Sequence, residues 1–198
     1  MKFDVDWAAE RPDQTGFDAG WRRTEIVAID GGPALTGVEH ALAASHTNGG
    51  ARVAQFRFVH ADDAVTWAMS RNRFGEFDFF ARFFAHPAVL AAVPEAARPN
   101  GLTDAFGMEE MFTSFGRLAG SLARGGAYRH ASGTDEEVWK LTERFVQEAV
   151  GFRLRDSFAW VSWQAWSPWF CGVAWDATFF WFDPAEGLAT VLLVTDTD

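Results

Sequence analysis

The chain has 198 residues, of which 48% are hydrophobic, and its formal net charge is −10. This length fits a single domain, which we expect to comprise a helix-rich part at 1–151 and a β-rich part at 152–198. The charge disfavours nucleic acid as a partner, because binding a polynucleotide requires clustered cations and residues 157–198 contain no Lys, Arg or His.

Two features of the sequence bear on its location. Cys171 is the only cysteine, so no intrachain disulfide can form, which favours a reducing compartment. The segment Met1–Asp6 lacks the basic and apolar regions of a signal peptide, and no run of about 20 apolar residues is present. We therefore expect a cytoplasmic protein that does not bind membranes.

The first predicted elements are a helix followed by a strand. The segment Thr36–Glu39 has the form of a capping box, in which a hydroxyl and a Glu satisfy free backbone donors. It predicts a helix over Val38–Ser45. Imperfect alternation of apolar and polar residues then predicts a strand over Ala51–Val59.

The middle of the chain is predicted to be helical. Asp62 can cap a short helix, and phenylalanines at helical spacing predict another over Glu76–Phe84. An apolar stripe that includes Phe112 predicts a buried helix face over Gly107–Ala123. A second capping box, from Thr134 to Glu137, opens the last predicted helix.

After Gly151 the composition changes, and the chain consists of short segments rich in Trp, Phe, Val and Thr. Four strands are predicted, at Ser157–Ala165, Phe170–Trp175, Thr178–Phe182 and Ala189–Thr195. The loop Asp183–Gly187 has the Pro and Gly of a hairpin connection. The expected fold is α+β, with a helical N-terminal and central part packed on a C-terminal antiparallel sheet.

Tryptophan is concentrated in this β-rich part, where six of the ten residues lie between 160 and 181. A spacing of three along an extended strand places successive side chains on opposite faces. One face would cover the helices, and the other would be either buried within the chain or exposed as a binding surface. The tryptophans that we assign to this binding surface are Trp163, Trp166, Trp169 and Trp175.

Three carboxylates are predicted to surround that surface. Period-two alternation puts Asp196 and Asp198 on one face of the last strand, and Asp176 is expected nearby across a hairpin. An acidic rim of this kind suits a basic partner protein. The alternative is an ordinary frayed terminus.

No catalytic signature is present, neither a nucleophile elbow nor a phosphate-binding loop nor a paired metal-ligand motif. We therefore assign no catalytic residue and no cofactor. His60, Asp62 and Asp63 could hold a divalent metal in a hydrolase. The alternative is structural, with Asp62 as a helix cap, Asp63 supporting the helix dipole and His60 ending the strand.

The C-terminal segment resembles a known group. The run Trp175-Asp176-Ala177-Thr178-Phe179-Phe180, followed by a hairpin and the closing Val194-Thr195-Asp196-Thr197-Asp198, is similar to the end of small bacterial proteins of the polymorphic-toxin immunity type. The resemblance covers only Trp175 to the C-terminus. It implies a cytosolic α+β protein that binds and blocks a toxin domain, which is often a basic nuclease, without catalysis of its own.

The sequence thus predicts a non-catalytic interaction module that binds a basic partner through an acidic-rimmed aromatic face. A second hypothesis is a small-molecule binder with an aromatic pocket between the Phe- and Met-rich helices and the Trp-rich sheet. The metal-dependent hydrolase is a third.

Overall fold

The computed structural model describes residues 5–130 and 133–197. Within these residues lie seven α-helices: α1 (Gln14–Trp21), α2 (Pro33–Ser45), α3 (Asp63–Ser70), α4 (Phe79–Ala85), α5 (Pro87–Ala92), α6 (Met111–Arg124) and α7 (Asp135–Val150). The same residues form six strands: β1 (Glu25–Ile29), β2 (Gly50–His60), β3 (Gly107–Glu109), β4 (Phe158–Ser162), β5 (Ala177–Asp183) and β6 (Leu188–Thr195). No helix in this part of the chain has the length and apolar character needed to cross a bilayer.

The six strands form one antiparallel sheet in the order β1-β2-β6-β5-β4-β3. The hairpin of β5 and β6 lies at its centre, with a register that runs from Ala177 opposite Val194 to Asp183 opposite Leu188. Every residue of both strands is buried. Both faces of the sheet are therefore covered at its centre.

Each face of the sheet carries its own apolar core. Phe180 and Phe182 belong to the core that includes side chains of α1, α3, α4 and α5. Phe179 and Trp181 belong to the core formed with α2, α6 and α7. Because successive side chains of a strand point to opposite faces, the sheet lies between two helical layers.

The predicted α+β class, with helices packed on an antiparallel sheet, is confirmed. The sheet nevertheless draws three of its strands from the first part of the chain, since β1, β2 and β3 precede α6. The sequence pattern predicted β2 but neither β1 nor β3. β3 pairs only Gly107 to Glu109 with β4, so α6 starts at Met111 rather than at Gly107.

The start of α2 shows how a distant residue can replace a local cap. The helix begins at Pro33 with Gly32 at its N-cap, so the predicted capping box at Thr36 is wrong. The carboxylate of Glu148, on α7, instead accepts the backbone N–H of Ala34 at 2.9 Å and of Leu35 at 3.0 Å. These two bonds satisfy free donors of the first turn.

Other local predictions are confirmed. The capping box of α7 is formed by Thr134 and Glu137. Asp62 accepts the N–H of Ala64 and caps α3. The hairpin loop between β5 and β6 has Gly187 at φ 59°, the left-handed region that favours glycine.

Candidate functional site

The tryptophans of the C-terminal part do not form the predicted surface, because most of them lie in a loop. β4 ends at Ser162 and β5 begins at Ala177, and the predicted strand Phe170–Trp175 is wrong. Gly172 has φ 78° in this loop. A spacing of three therefore does not produce two alternating faces here. We call residues 163–176 the Trp loop.

The four tryptophans of the Trp loop lie in different surroundings. Trp166 is buried, and its indole N–H donates to the Thr178 hydroxyl at 2.9 Å. Trp169 and Trp175 are half-buried. Trp163 alone among them is exposed, and the Arg117 guanidinium lies 5.3 Å from its ring centroid. These side chains do not form one binding face.

Asp176 stabilises the Trp loop through hydrogen bonds from the backbone of the loop. Its side chain is buried and accepts the N–H of Gly172 at 2.7 Å and of Val173 at 3.1 Å. The Thr195 hydroxyl donates to its other oxygen. Hydrogen bonds of this kind are the expected compensation for a buried carboxylate. Asp176 therefore stabilises the loop and is not available to a partner.

Asp196 has the same structural role at the end of β6. It is fully buried and accepts three backbone N–H groups, from Asn48 at 3.1 Å, Ala127 at 2.9 Å and Thr197 at 3.0 Å. Asp198 lies outside the described residues. The expectation of an exposed acidic rim at Asp176 and Asp196 is therefore wrong, because both carboxylates face the backbone of their own chain.

His46 lies beside this buried end of the sheet. Its ring packs edge-on against Trp175, with centroids 6.2 Å apart, and its Nδ1 lies 2.9 Å from the Leu42 carbonyl oxygen. Burial lowers the pKa of His46, and this effect outweighs the contact with Leu42 and the charge of Asp196, which both raise it. Burial therefore favours the neutral form of the imidazole, which has a structural position here.

The residues of the metal hypothesis do not converge. The Arg23 guanidinium lies 2.6 Å from Asp62, whereas His60 and Asp63 are exposed. Burial raises the pKa of Asp62, but the hydrogen bonds from Arg23 and Ala64, together with the charges of Arg23 and His60, outweigh it and leave the pKa below its ordinary value. No group of three His, Cys, Asp or Glu side chains in the described residues could hold a metal ion.

The space between the Phe-rich helices and the sheet is filled by rings in contact. Phe180, on β5, lies 5.3 Å from Phe74 and 5.4 Å from Phe83, measured between ring centroids. On the opposite face, Trp181 stacks on Phe115 at 5.0 Å. These contacts occupy the region where the sequence predicted a small-molecule pocket.

Exposed aromatic side chains instead surround a groove between α6 and α7. Phe112 is 66% exposed, Trp139 65% and Phe152 50%. The groove has a volume of about 270 Å³. We call it the α6/α7 groove, and its lining consists of Phe112, Phe115, Gly116, Trp139, Thr142, Glu143, Val146, Phe152 and Leu154. Glu143 is the one charged side chain of this lining.

Helical spacing accounts for the two walls. Phe112 and Gly116 lie four residues apart on α6, and Trp139 and Glu143 lie four apart on α7, so each pair shares one face of its helix. Phe115, stacked on Trp181, gives the groove a fixed floor. A Cβ atom built at Gly116 would meet no atom within 4 Å, so this glycine leaves the groove open.

Phe152 is held at the end of the groove in a strained conformation. It has φ 59°, and the preceding Gly151 has φ 58°. The next residue, Arg153, donates from its guanidinium to the buried carboxylate of Asp183. The left-handed region costs a bulky L-residue roughly 1–2 kcal/mol. The Arg153–Asp183 pair thus anchors the turn while the Phe152 ring remains exposed.

A second depression adjoins the groove and shares Phe112 and Leu154 with it. It has a volume of about 450 Å³ and lies where β3 leaves β4 to enter α6. We call it the α6 cleft. Its lining consists of Asn72, Met108, Glu109, Glu110, Met111, Phe112, Leu154, Arg155, Ser157, Phe158 and Ala159.

Two features of the sequence explain why this site was not predicted. Phe112 was assigned to a buried stripe, yet it is exposed at the start of α6. Trp139 falls outside the apolar stripe of α7 that Val138 and Phe145 mark, so that stripe does not point to it. A tryptophan on the polar side of an amphipathic helix is a signal that could have been found.

No protein-family model matches this chain, and no curated protein matches it.

Proposed function

We propose that this chain is a non-catalytic interaction protein whose α6/α7 groove binds a basic, amphipathic helix of a partner protein. The observation that supports this most directly is the group of three exposed rings, Phe112, Trp139 and Phe152, around an apolar groove. Aromatic residues on a rigid scaffold are typical anchors of protein–protein binding. The strained backbone at Phe152 supports the same interpretation, because strain of this kind clusters at functional positions.

The shape of the groove favours a helix as its ligand. A groove between two helices receives the apolar face of an amphipathic helix, with anchors spaced by three and four residues. The open space above Gly116 leaves room for one such anchor. The aromatic rings on either side would then pack against the neighbouring anchors of the partner helix.

Charge favours a basic partner. Glu143 lies in the groove itself, and Glu136, two turns nearer the start of α7, has a side chain that is 76% exposed and pairs with Lys140 at 2.6 Å. The whole chain carries a formal charge of −10. Lys and Arg flanking the apolar anchors of the partner would therefore be attracted to this surface. The resemblance to immunity proteins makes a basic toxin domain the partner that we propose.

The test is to fill the groove without disturbing the fold. Gly116→Met places a side chain in the groove, and we expect partner binding to weaken at least tenfold. Gly120→Met is the matched control, since Gly120 lies one turn further along α6, outside the groove lining, with only the Arg124 guanidinium near a built Cβ atom. The tagged parent and both variants are used for affinity capture from the host lysate, and retained proteins are identified by mass spectrometry.

The proposal predicts a basic protein that is retained by the parent and by Gly120→Met and is lost with Gly116→Met. Thermal unfolding verifies that both variants are folded. Equal retention of the same protein by all three chains would overturn the proposal, because the groove would then contribute nothing to binding.

A further inference from the structure

Two residues that line the α6 cleft each have a buried polar atom without a hydrogen-bond partner among the described residues. They are Oε2 of Glu109 and Oγ of Ser157. Ser157 is only 6% exposed, and both residues line the cleft. Buried polar groups are nearly always hydrogen-bonded, and leaving one unpaired is unfavourable. A ligand that donates hydrogen bonds would satisfy both atoms.

The surroundings of these atoms are rich in acceptors. Oε1 of Glu109 already accepts from Nε of Arg117 at 2.6 Å, so its second oxygen remains for a ligand. The carboxylate of Glu110 is exposed and has no ion pair in the described residues. A ligand group with several donors and a positive charge matches this arrangement.

The walls of the cleft are suited to the stem of a long side chain. Met108 and Phe112 are each 66% exposed and line the cleft. A guanidinium group carries five N–H donors in a plane and stacks on aromatic rings, and its methylene stem packs on apolar surface. An ammonium group is more strongly hydrated and has no planar face.

We propose that the α6 cleft binds an arginine side chain, whose guanidinium donates to Glu109 and Ser157 while its stem lies against Met108 and Phe112. This deepens the proposed function and rests on it for the source of the arginine. The partner helix in the α6/α7 groove would supply it, since the cleft and the groove share Phe112 and Leu154.

Arg155 provides a test of the sign of the ligand's charge. It is the one cation in the lining of the cleft, and it is exposed without an ion pair in the described residues. Arg155→Gln should therefore strengthen the binding of a cation about threefold, and Glu110→Gln should weaken it by a similar factor. An anionic ligand would respond in the opposite sense to both changes. Both positions are exposed, so neither change threatens the fold.

Methionine methyl groups provide the measurement. The chain has four methionines, and Met108 and Met111 line the cleft, whereas Met69 is buried in the core on the other face of the sheet. The full chain, labelled with ¹³C at the methionine methyl groups, is titrated with N-acetyl-arginine amide. N-acetyl-citrulline amide, a neutral analogue of the same shape, is the control ligand.

We expect the arginine probe to shift the methyl signals of Met108 and Met111 in a saturable way and to leave Met69 unmoved. The citrulline probe should bind at least several-fold more weakly, because it lacks the charge. Equal shifts with both probes, or weaker arginine binding in Arg155→Gln, would overturn the inference.

This experiment needs no partner protein, so its failure is distinct from failure of the proposed function. If the arginine probe binds but Gly116→Met leaves partner capture unchanged, the cleft remains a guanidinium site and the groove proposal is wrong. If groove filling abolishes capture and the arginine probe does not shift Met108 or Met111, the groove proposal remains and the arginine inference is wrong.

Discussion

The Trp loop and the α6/α7 groove are both rich in aromatic side chains, yet they use them in opposite ways. In the Trp loop, Trp166 is 1% exposed, whereas Trp139 beside the groove is 65% exposed. The Trp166 ring packs on Phe84 of α4 and on Phe170 of the loop itself. The groove presents its rings to solvent. Aromatic density along the sequence therefore marks where large side chains are, and only packing decides which of them are available for binding.

Carboxylates show a similar contrast between buried positions and the α6/α7 groove. Asp176 and Asp196 are buried and accept backbone N–H groups, so their charge is used within the chain. Glu143 lines the α6/α7 groove, where a partner can reach it. A carboxylate next to aromatic residues in the sequence can thus be either a loop closure or part of a binding surface. The number of backbone N–H groups that donate to the carboxylate distinguishes the two roles.

The largest effect expected from this comparison is on tryptophan. Trp166→Ala should lower the free energy of unfolding by about 4 kcal/mol, because it leaves a cavity in the core and removes the partner of the Thr178 hydroxyl. Trp139→Ala should change it by less than about 0.5 kcal/mol, since the ring is exposed. Urea unfolding followed by circular dichroism measures both.

For partner binding, we expect a direct effect of Trp139→Ala, the variant with the smaller effect on stability. Trp139→Ala should weaken capture of the groove's partner, because the substitution removes an aromatic anchor of the binding surface. If Trp139→Ala unfolds the protein as readily as Trp166→Ala, the two tryptophans are equivalent and the comparison fails.

A slightly smaller effect is expected at the buried carboxylates. Asp176→Ala and Asp196→Ala should each lower the free energy of unfolding by about 3 kcal/mol, since each leaves several backbone donors unpaired. Asp156→Ala is the matched control, an exposed aspartate just before β4, with an expected change within about 0.5 kcal/mol. Chemical denaturation of the three variants under identical conditions gives these values.

This prediction also separates the two interpretations of the acidic residues. If Asp176 and Asp196 formed an exposed rim, their replacement would weaken partner capture and leave stability unchanged. A stable Asp176→Ala variant with reduced capture would therefore restore the rim and contradict the structural role described above.

The sequence was sufficient for features that depend on near neighbours. The α7 capping box, the Asp62 cap and the hairpin between β5 and β6 follow from residues within about five positions of each other. The α+β class follows from the order of such elements. The start of α2 could not be predicted in this way, since its cap is Glu148, 114 residues from Ala34.

The candidate site failed to emerge from the sequence for the same reason. The α6/α7 groove depends on how two helices lie against the sheet, and the α6 cleft depends on where β3 separates from β4. The burial of Asp196 depends on Asn48 and Ala127, which are distant along the chain. Period-two alternation predicted which face of the last strand Asp196 lies on, but it could not show that other loops cover that face.

The smallest predicted effect concerns Phe152. It separates the effect of the strained backbone on stability from the effect of losing the aromatic ring. Phe152→Ala and Phe152→Gly both remove the aromatic side chain, but only alanine keeps a Cβ atom at φ 59°. The glycine variant should therefore be more stable than the alanine variant by about 1 kcal/mol, whereas at a helical or extended position glycine would be the less stable of the two. Thermal or urea unfolding of the pair measures the difference.

Both variants should lose partner binding to the same extent, since both lack the ring at the end of the α6/α7 groove. An alanine variant at least as stable as the glycine variant would show that Phe152 is unstrained, and the argument that its conformation is maintained for binding would then fail.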